Sequence, residues 1–494
     1  MEISVLNQMN IELNIWVANL EAEKVQLEIQ VADINADKTQ KTQQISDLQT
    51  HLGALSASYF DLKKKLAEEF GNKFKSSVHN VNTGQSADQQ LQIQKEMDGI
   101  ANNWKIYNGV THWLGLLDSP PSDFRTYINH YGEMAEATYD AYIKTPVSKN
   151  AGNCRFSRKN LFDRCGILRG RPLNQYKVTK YIYATSAVPV PGAFVTSSST
   201  QAWSKKSNWI AFIAVATDEG KKVLGRRDIM IVWRGTVNPS DMVHDAELVK
   251  VSAKKIFGEM HLDNPKVHMG WYSIYTTSDP NTRYNQTSAR DQALAEVKKL
   301  VDEYREEETS LTITGHSMGA VVGTLNAIDI VFNGINKQAV VPPRACLVTM
   351  FAFACPKVGD ANFQKVFNSQ TNLHCLRINN ALDIVPKYPL VGYSDVGHEL
   401  GIDTTKSTYL KTVGDPVSWH SMEGYMHGVA GTQGIKGGFK LEINRDLSLI
   451  NKYSGTLKDE YGIPSSWWTE KHNGMVQNDN GNWELNDREV DDDQ

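Results

Sequence analysis

The pentapeptide Gly315-His316-Ser317-Met318-Gly319 constrains this chain more than any other stretch, because of what flanks it. Before it stands Leu-Thr-Ile-Thr (311–314), a short β-favouring run, and after it residues 320–332 form an apolar stretch with helical spacing. A strand that turns directly into a helix needs a sheet to carry the strand and a layer for the helix to cover. Other segments supply that sheet. Residues 209–216, 228–233, 345–355 and 373–378 are nearly continuous apolar, β-rich runs. Residues 289–308 form a charged helical pattern with Ala293, Val297, Leu300, Val301 and Tyr304 on one side. Such strands alternating with helices predict an α/β domain whose mostly parallel central sheet is covered on both faces.

Ahead of this domain the pattern changes. From Leu6 to Leu66 a 3-4 spacing places apolar residues at every seam position except Asn10, Lys24, Lys38 and Lys41. That periodicity predicts a long coiled-coil helix over 1–70, self-associating or doubled into a hairpin near Lys38 and Lys41, with one long helix folded back on the globular domain as the alternative. Residues 71–103 read as a polar linker with some helix after Gln90, 104–485 as the globular domain, and 486–494 as an acidic tail.

Composition narrows the class. In 494 residues, 40% hydrophobic and 22% charged, a large core is available and a disordered or collagen-like chain is excluded. With 52 basic and 56 acidic residues, net charge −4, the chain carries no nucleic-acid footprint. Cys154, Cys165, Cys346, Cys355 and Cys375 are odd in number and lack zinc spacing, so they read as buried or free thiols in a reducing compartment. The start of the sequence shows no basic region followed by an apolar run, and the apolar stretch 345–355 is too short to cross a bilayer. A cytoplasmic protein without a transmembrane anchor is the expectation.

The turn at Ser317 has the G-x-S-x-G form that exposes a serine at a helix N-terminus. A serine is a poor nucleophile without a general base, and in this architecture an acid and then a histidine follow along the chain. Asp383 sits in the loop after the run 373–378, with Asp395 and Asp403 as competitors. Among His398, His420 and His427, His420 stands where a loop enters a helix and is the best placed to present its ring. An oxyanion needs two donors. The N–H of Met318 supplies one, and Thr236, after the run 228–233, supplies the other. This chemistry calls for no metal and no cofactor.

Several stretches together carry a family resemblance. They are Trp233-Arg-Gly-Thr236, Val267-His-Met-Gly-Trp271, Gly315 to Gly319, Pro356-Lys-Val-Gly359, Asp383-Ile-Val-Pro386 and His420-Ser-Met-Glu423. The globular part resembles the class 3 lipase group of α/β-hydrolases, and within it the plant class II phospholipase A1 enzymes. The resemblance implies an α/β-hydrolase lipase domain, a triad of Ser317, Asp383 and His420, an oxyanion hole at Thr236 and Met318, and a lid over 237–248. It also implies hydrolysis of glycerolipid esters at the sn-1 position, at a membrane or lipid surface. A triacylglycerol, monoacylglycerol or galactolipid lipase, and a coiled-coil scaffold with a weakly active hydrolase domain, are the alternatives. Met242 in the lid, where a tryptophan is expected, and Asp395, where relatives often carry histidine, depart from the pattern. The heptads suggest a homo-oligomer built through 1–70.

Overall fold

The computed structural model describes residues 99–167, 173, 175–190, 192–195, 207–236, 249–259, 263–340, 344–411, 414, 416–434, 437–443, 445–468, 475–477 and 483–485. The heptad region 1–70, most of the linker, the lid segment 237–248 and the tail 486–494 lie outside the described residues. Residues 99–107 are helical, and Ile100, within the stretch read as linker, is buried in the core of the globular unit.

Seven strands form the central sheet, in spatial order β1 (Tyr176–Ala184), β2 (Asn208–Ala216), β3 (Arg227–Trp233), β4 (Thr309–His316), β5 (Leu347–Phe353), β6 (Leu373–Asn380) and β7 (His398–Ile402). The pairings β1–β2 and β2–β3 are antiparallel, and those from β3 through β7 are parallel. The carboxyl ends of β3 to β7 therefore open at one edge, where ligands bind in sheets of this kind.

Alternate strand residues enter two separate cores, as a sheet covered on both faces requires. Ile229, Ile231 and Trp233 of β3 join Leu311 and Ile313 of β4 and Val348, Met350 and Ala352 of β5 on one face. Met230 and Val232 join Phe351 and Phe353 on the other. The second face is covered by α1 (Ser122–Asp140), which buries Phe124, Tyr127, Ile128, Tyr131, Met134 and Ala135 at helical spacing. Against the first face lie α2 (Met269–Thr276), α3 (Ala289–Glu303), α4 (Met318–Phe332) and α5 (Ala361–Asn368). The last helix, α6 (Met422–Gly431), packs on α1. The five cysteines are buried, and none is in a disulfide.

The observed bounds differ from the sequence reading at chain turns. The helix α3 ends at Glu303, because Tyr304 and Glu307 close a turn there, with the Glu307 N–H 2.9 Å from the Tyr304 carbonyl. The strand β5 ends at Phe353, because Ala354 takes a φ of 50°.

Beneath the sheet's second face a buried polar cluster ties α1 to β1, β3 and β4. Asp228 accepts hydrogen bonds from Tyr131 (2.9 Å), Tyr176 (2.8 Å), Ser310 (2.6 Å) and Thr312 (2.7 Å). The Arg226 guanidinium lies 3.4 Å away, and both side chains are fully buried. Burial alone would raise the carboxyl's pKa, but the Arg226 charge and the hydroxyl donors outweigh it and hold Asp228 below the ordinary aspartate range. A depressed folded-state pKa contributes stability that is present above about pH 4 and fades as pH falls through the folded value. Asp228→Asn leaves Arg226 buried without its counter-charge, so urea unfolding at pH 7 should show a loss of about 3–5 kcal/mol. The gap between variant and wild type should narrow as the pH is lowered below about 4.

Candidate active site

Ser317 occupies the turn between β4 and α4 with φ 59° and ψ −129°, a strained conformation for a residue with a side chain. Two glycines make the turn possible. A Cβ on Gly315 would lie 2.6 Å from the carbonyl group of Gly319, and one on Gly319 would overlap the Trp233 carbonyl oxygen. The first turn of α4 thus lies directly on the ends of β3 and β4. The Ser317 N–H is bonded to the Phe353 carbonyl at 2.9 Å, which ties the turn to β5 as well.

Asp383 follows β6, in a turn closed by its own N–H to the Asn380 carbonyl at 3.0 Å. Its buried carboxylate takes three donors. The Val385 N–H meets Oδ1 at 2.9 Å, while His420 Nδ1 at 2.7 Å and the Tyr425 hydroxyl at 2.6 Å meet Oδ2. His420 comes after a short helix (Pro416–Trp419), and Ser421 then caps α6 by accepting from the Gly424 N–H at 3.1 Å. The buried ring of His420 packs 4.6 Å, centroid to centroid, from that of His316, the neighbour of Ser317. Its Nε2 is buried and has no hydrogen-bond partner among the described residues. With Nδ1–H directed at the carboxylate, Nε2 carries the lone pair that a general base needs.

Thr236 lies just past β3, buried, with an Oγ1 that also lacks a partner among the described residues. Its approach is held by the buried Arg234 guanidinium, which donates to the carbonyls of Trp209 (3.0 Å), Ala193 (3.0 Å) and Gly235 (2.7 Å) and lies on the Tyr142 ring. Because β3 and β4 are parallel neighbours with Trp233 opposite Gly315, the Thr236 turn and the Ser317 turn emerge side by side. Met318 opens α4, so its N–H is among those a helix start leaves without an intrahelical acceptor.

The rival residues lie elsewhere or are engaged otherwise. His398 begins β7, at the end of that strand away from the Asp383 loop, and its ring packs beside His112 and Trp113. His427 is buried inside α6, 2.7 Å from the Ser407 hydroxyl, and burial pushes its pKa down to about 3. Asp395 pairs with Arg377 at 3.0 Å, and Asp403 accepts from the Thr405 N–H and hydroxyl. Tyr425 was not foreseen from the sequence. Its spacing from His420 says nothing until α6 is folded over β6. Among the described residues no group of three or more His, Cys, Asp or Glu side chains is arranged to hold a metal ion.

Comparison with known proteins agrees with this architecture. Residues 230–393 match the class 3 lipase family. Phospholipase A1-II 1 of Oryza sativa subsp. indica is 51% identical over 397 residues, covering 80% of this chain and 98% of that one. Phospholipase A1-IIgamma of Arabidopsis thaliana is 46% identical over 396 residues, covering 80% and 94% respectively. The chain belongs to the phospholipase A1-II family.

Proposed function

We propose that the chain is a carboxylic ester hydrolase acting on phospholipids, releasing the sn-1 acyl chain through an acyl-enzyme on Ser317. The observation that carries this reading is the His420 imidazole, bonded through Nδ1 to Asp383 and packed against the residue next to Ser317 with Nε2 unengaged among the described residues. In this reading Nε2 removes the proton from the Ser317 hydroxyl as Oγ attacks the ester carbonyl carbon. The N–H groups of Thr236 and Met318 receive the oxyanion. Collapse breaks the bond to the glycerol oxygen, which takes the proton back from Nε2, and water repeats the sequence on the acyl-enzyme. Asp383, held in place by three donors, orients the ring and balances its charge while the proton is held.

Exposed apolar side chains support a lipid surface as the place of action. Leu382 precedes Asp383, Leu390 and Val391 extend the same loop, and Val417 stands just ahead of His420; all four are exposed. No helix among the described residues is long and apolar enough to cross a membrane. We assign peripheral contact with a lipid surface to this rim of exposed side chains; the five buried cysteines, none in a disulfide, support the cytoplasm as the compartment. The heptads of 1–70 support the further reading that 1–70 forms a coiled coil, joined by a linker that begins at residue 71 and ends before the helix 99–107 to the hydrolase unit, and that it assembles the chain into oligomers.

The decisive assay is the product profile from a phosphatidylcholine with different acyl chains at its two positions. Wild type should release the sn-1 chain, and Ser317→Ala should lose at least about 10³-fold in rate. Release of the other chain, or cleavage only of a triacylglycerol or galactolipid, would refute the positional or headgroup assignment. Leu390→Asp combined with Val391→Asp should weaken vesicle binding by about tenfold or more, with little change on a dissolved short-chain ester. For the heptads, Leu13→Lys with Leu48→Lys should reduce the mass measured by sedimentation to that of a monomer; an unchanged mass would reject assembly through 1–70.

A further inference from the structure

A second imidazole stands behind the first. His316 is buried at the end of β4, and its Nδ1 lies 2.7 Å from the hydroxyl of Tyr139, which α1 carries across from the other side of the site. Its ring packs 4.6 Å from that of His420 and 5.9 Å from that of Tyr425, so it touches both groups that bond to Asp383 Oδ2. The Tyr139 hydroxyl has a second contact. It fills the space a Cβ on Gly235 would take, and that same Cβ would lie 2.6 Å from the His316 carbonyl oxygen. One hydroxyl therefore bears on the end of β4 that leads to Ser317 and on the turn that leads to Thr236.

Resting on the acyl-transfer reading above, we infer that Tyr139 and His316 are positioning residues: the hydroxyl donates to Nδ1, holds the imidazole as a neutral ring, and makes it a fixed, uncharged wall behind His420. The charge argument is direct. In the proposed mechanism His420 becomes an imidazolium, and a second cation in ring contact would oppose that step. Burial pushes the His316 pKa well below the ordinary histidine value, and the neighbouring His420 pushes it the same way. Burial raises Tyr139, so its hydroxyl keeps the proton it donates. The steric argument concerns the ring itself. One hydrogen bond from Nδ1 leaves an imidazole free to tilt, and a second ring held against it at 4.6 Å, inclined by 45°, restricts that freedom. A misplaced base is costly, because proton transfer in the transition state depends on its geometry.

The test compares kcat and KM on a dissolved short-chain ester for wild type, Tyr139→Phe, His316→Leu, His316→Asn and Ser317→Ala, with thermal unfolding of each. Tyr139→Phe and His316→Leu should lower kcat by about tenfold, the scale of one lost hydrogen bond expressed in the transition state. KM should stay within about twofold. His316→Asn sets an amide oxygen where Nδ1 stood, able to accept from Tyr139, and should recover most of kcat. Wild-type kcat in both Tyr139→Phe and His316→Leu, or a His316→Asn variant no better than His316→Leu, would overturn the positioning role. Folded Ser317→Ala that still turns over the ester would instead overturn the reading on which it rests.

Discussion

The contact between the first turn of α4 and the ends of β3 and β4 determines the rest of the site. There is no room for a side chain at Gly319 against the Trp233 carbonyl, or at Gly315 against Gly319, so helix and strands meet backbone to backbone. That closeness forces Ser317 into its left-handed φ, which costs on the order of 1–3 kcal/mol. The helix it begins is buried almost all round and is pinned through Asp329, which accepts from Nε and Nη2 along one edge of the Arg290 guanidinium, from Tyr275 and from Asn333. A helix held that firmly can keep a strained residue at its start. Without the close approach, the turn could relax and the serine would leave the edge shared by β3 and β6.

Two buried carboxylates show how one device serves different ends. Asp228 is surrounded by hydroxyl donors and Arg226 and holds α1 to the sheet. Asp383 takes three donors, but one of them is an imidazole whose other nitrogen is unengaged among the described residues. Both satisfy the demand that a buried charge be paired and hydrogen-bonded. In the proposed mechanism only the second serves a proton transfer. The surrounding histidines fit this division: burial lowers the pKa of both His316 and His427.

Much of this was legible in the linear sequence, for identifiable reasons. The Ser317 turn could be read because its strand, turn and helix are consecutive, and because glycines report close backbone approach directly. Strands β2 to β6 could be read because full burial on both faces makes them continuously apolar. Asp383 and His420 followed from position, each in a loop after a recognisable element, and from a family resemblance over much of the globular domain. The structure brings these two together at 2.7 Å and places Thr236 on the turn beside Ser317. By contrast Tyr425 and Tyr139 carried no signal. Tyr425 reaches Asp383 from 42 positions away, and Tyr139 reaches His316 across 177. A tyrosine on an amphipathic helix looks the same whether its hydroxyl meets solvent or a buried partner.

The sequence by itself determined the strand–turn–helix at Ser317, the candidates for acyl transfer and the two-faced sheet, because these depend on neighbours in the chain and on the period of apolar residues. Only the tertiary structure decided which histidine meets which carboxylate, which hydroxyls hold them, and which nitrogen is left unengaged among the described residues. Those outcomes depend on the packing of α1 and α6 across the sheet, which brings together atoms from distant segments to within hydrogen-bond distance, and no local pattern encodes a distance between segments that meet only when the core closes.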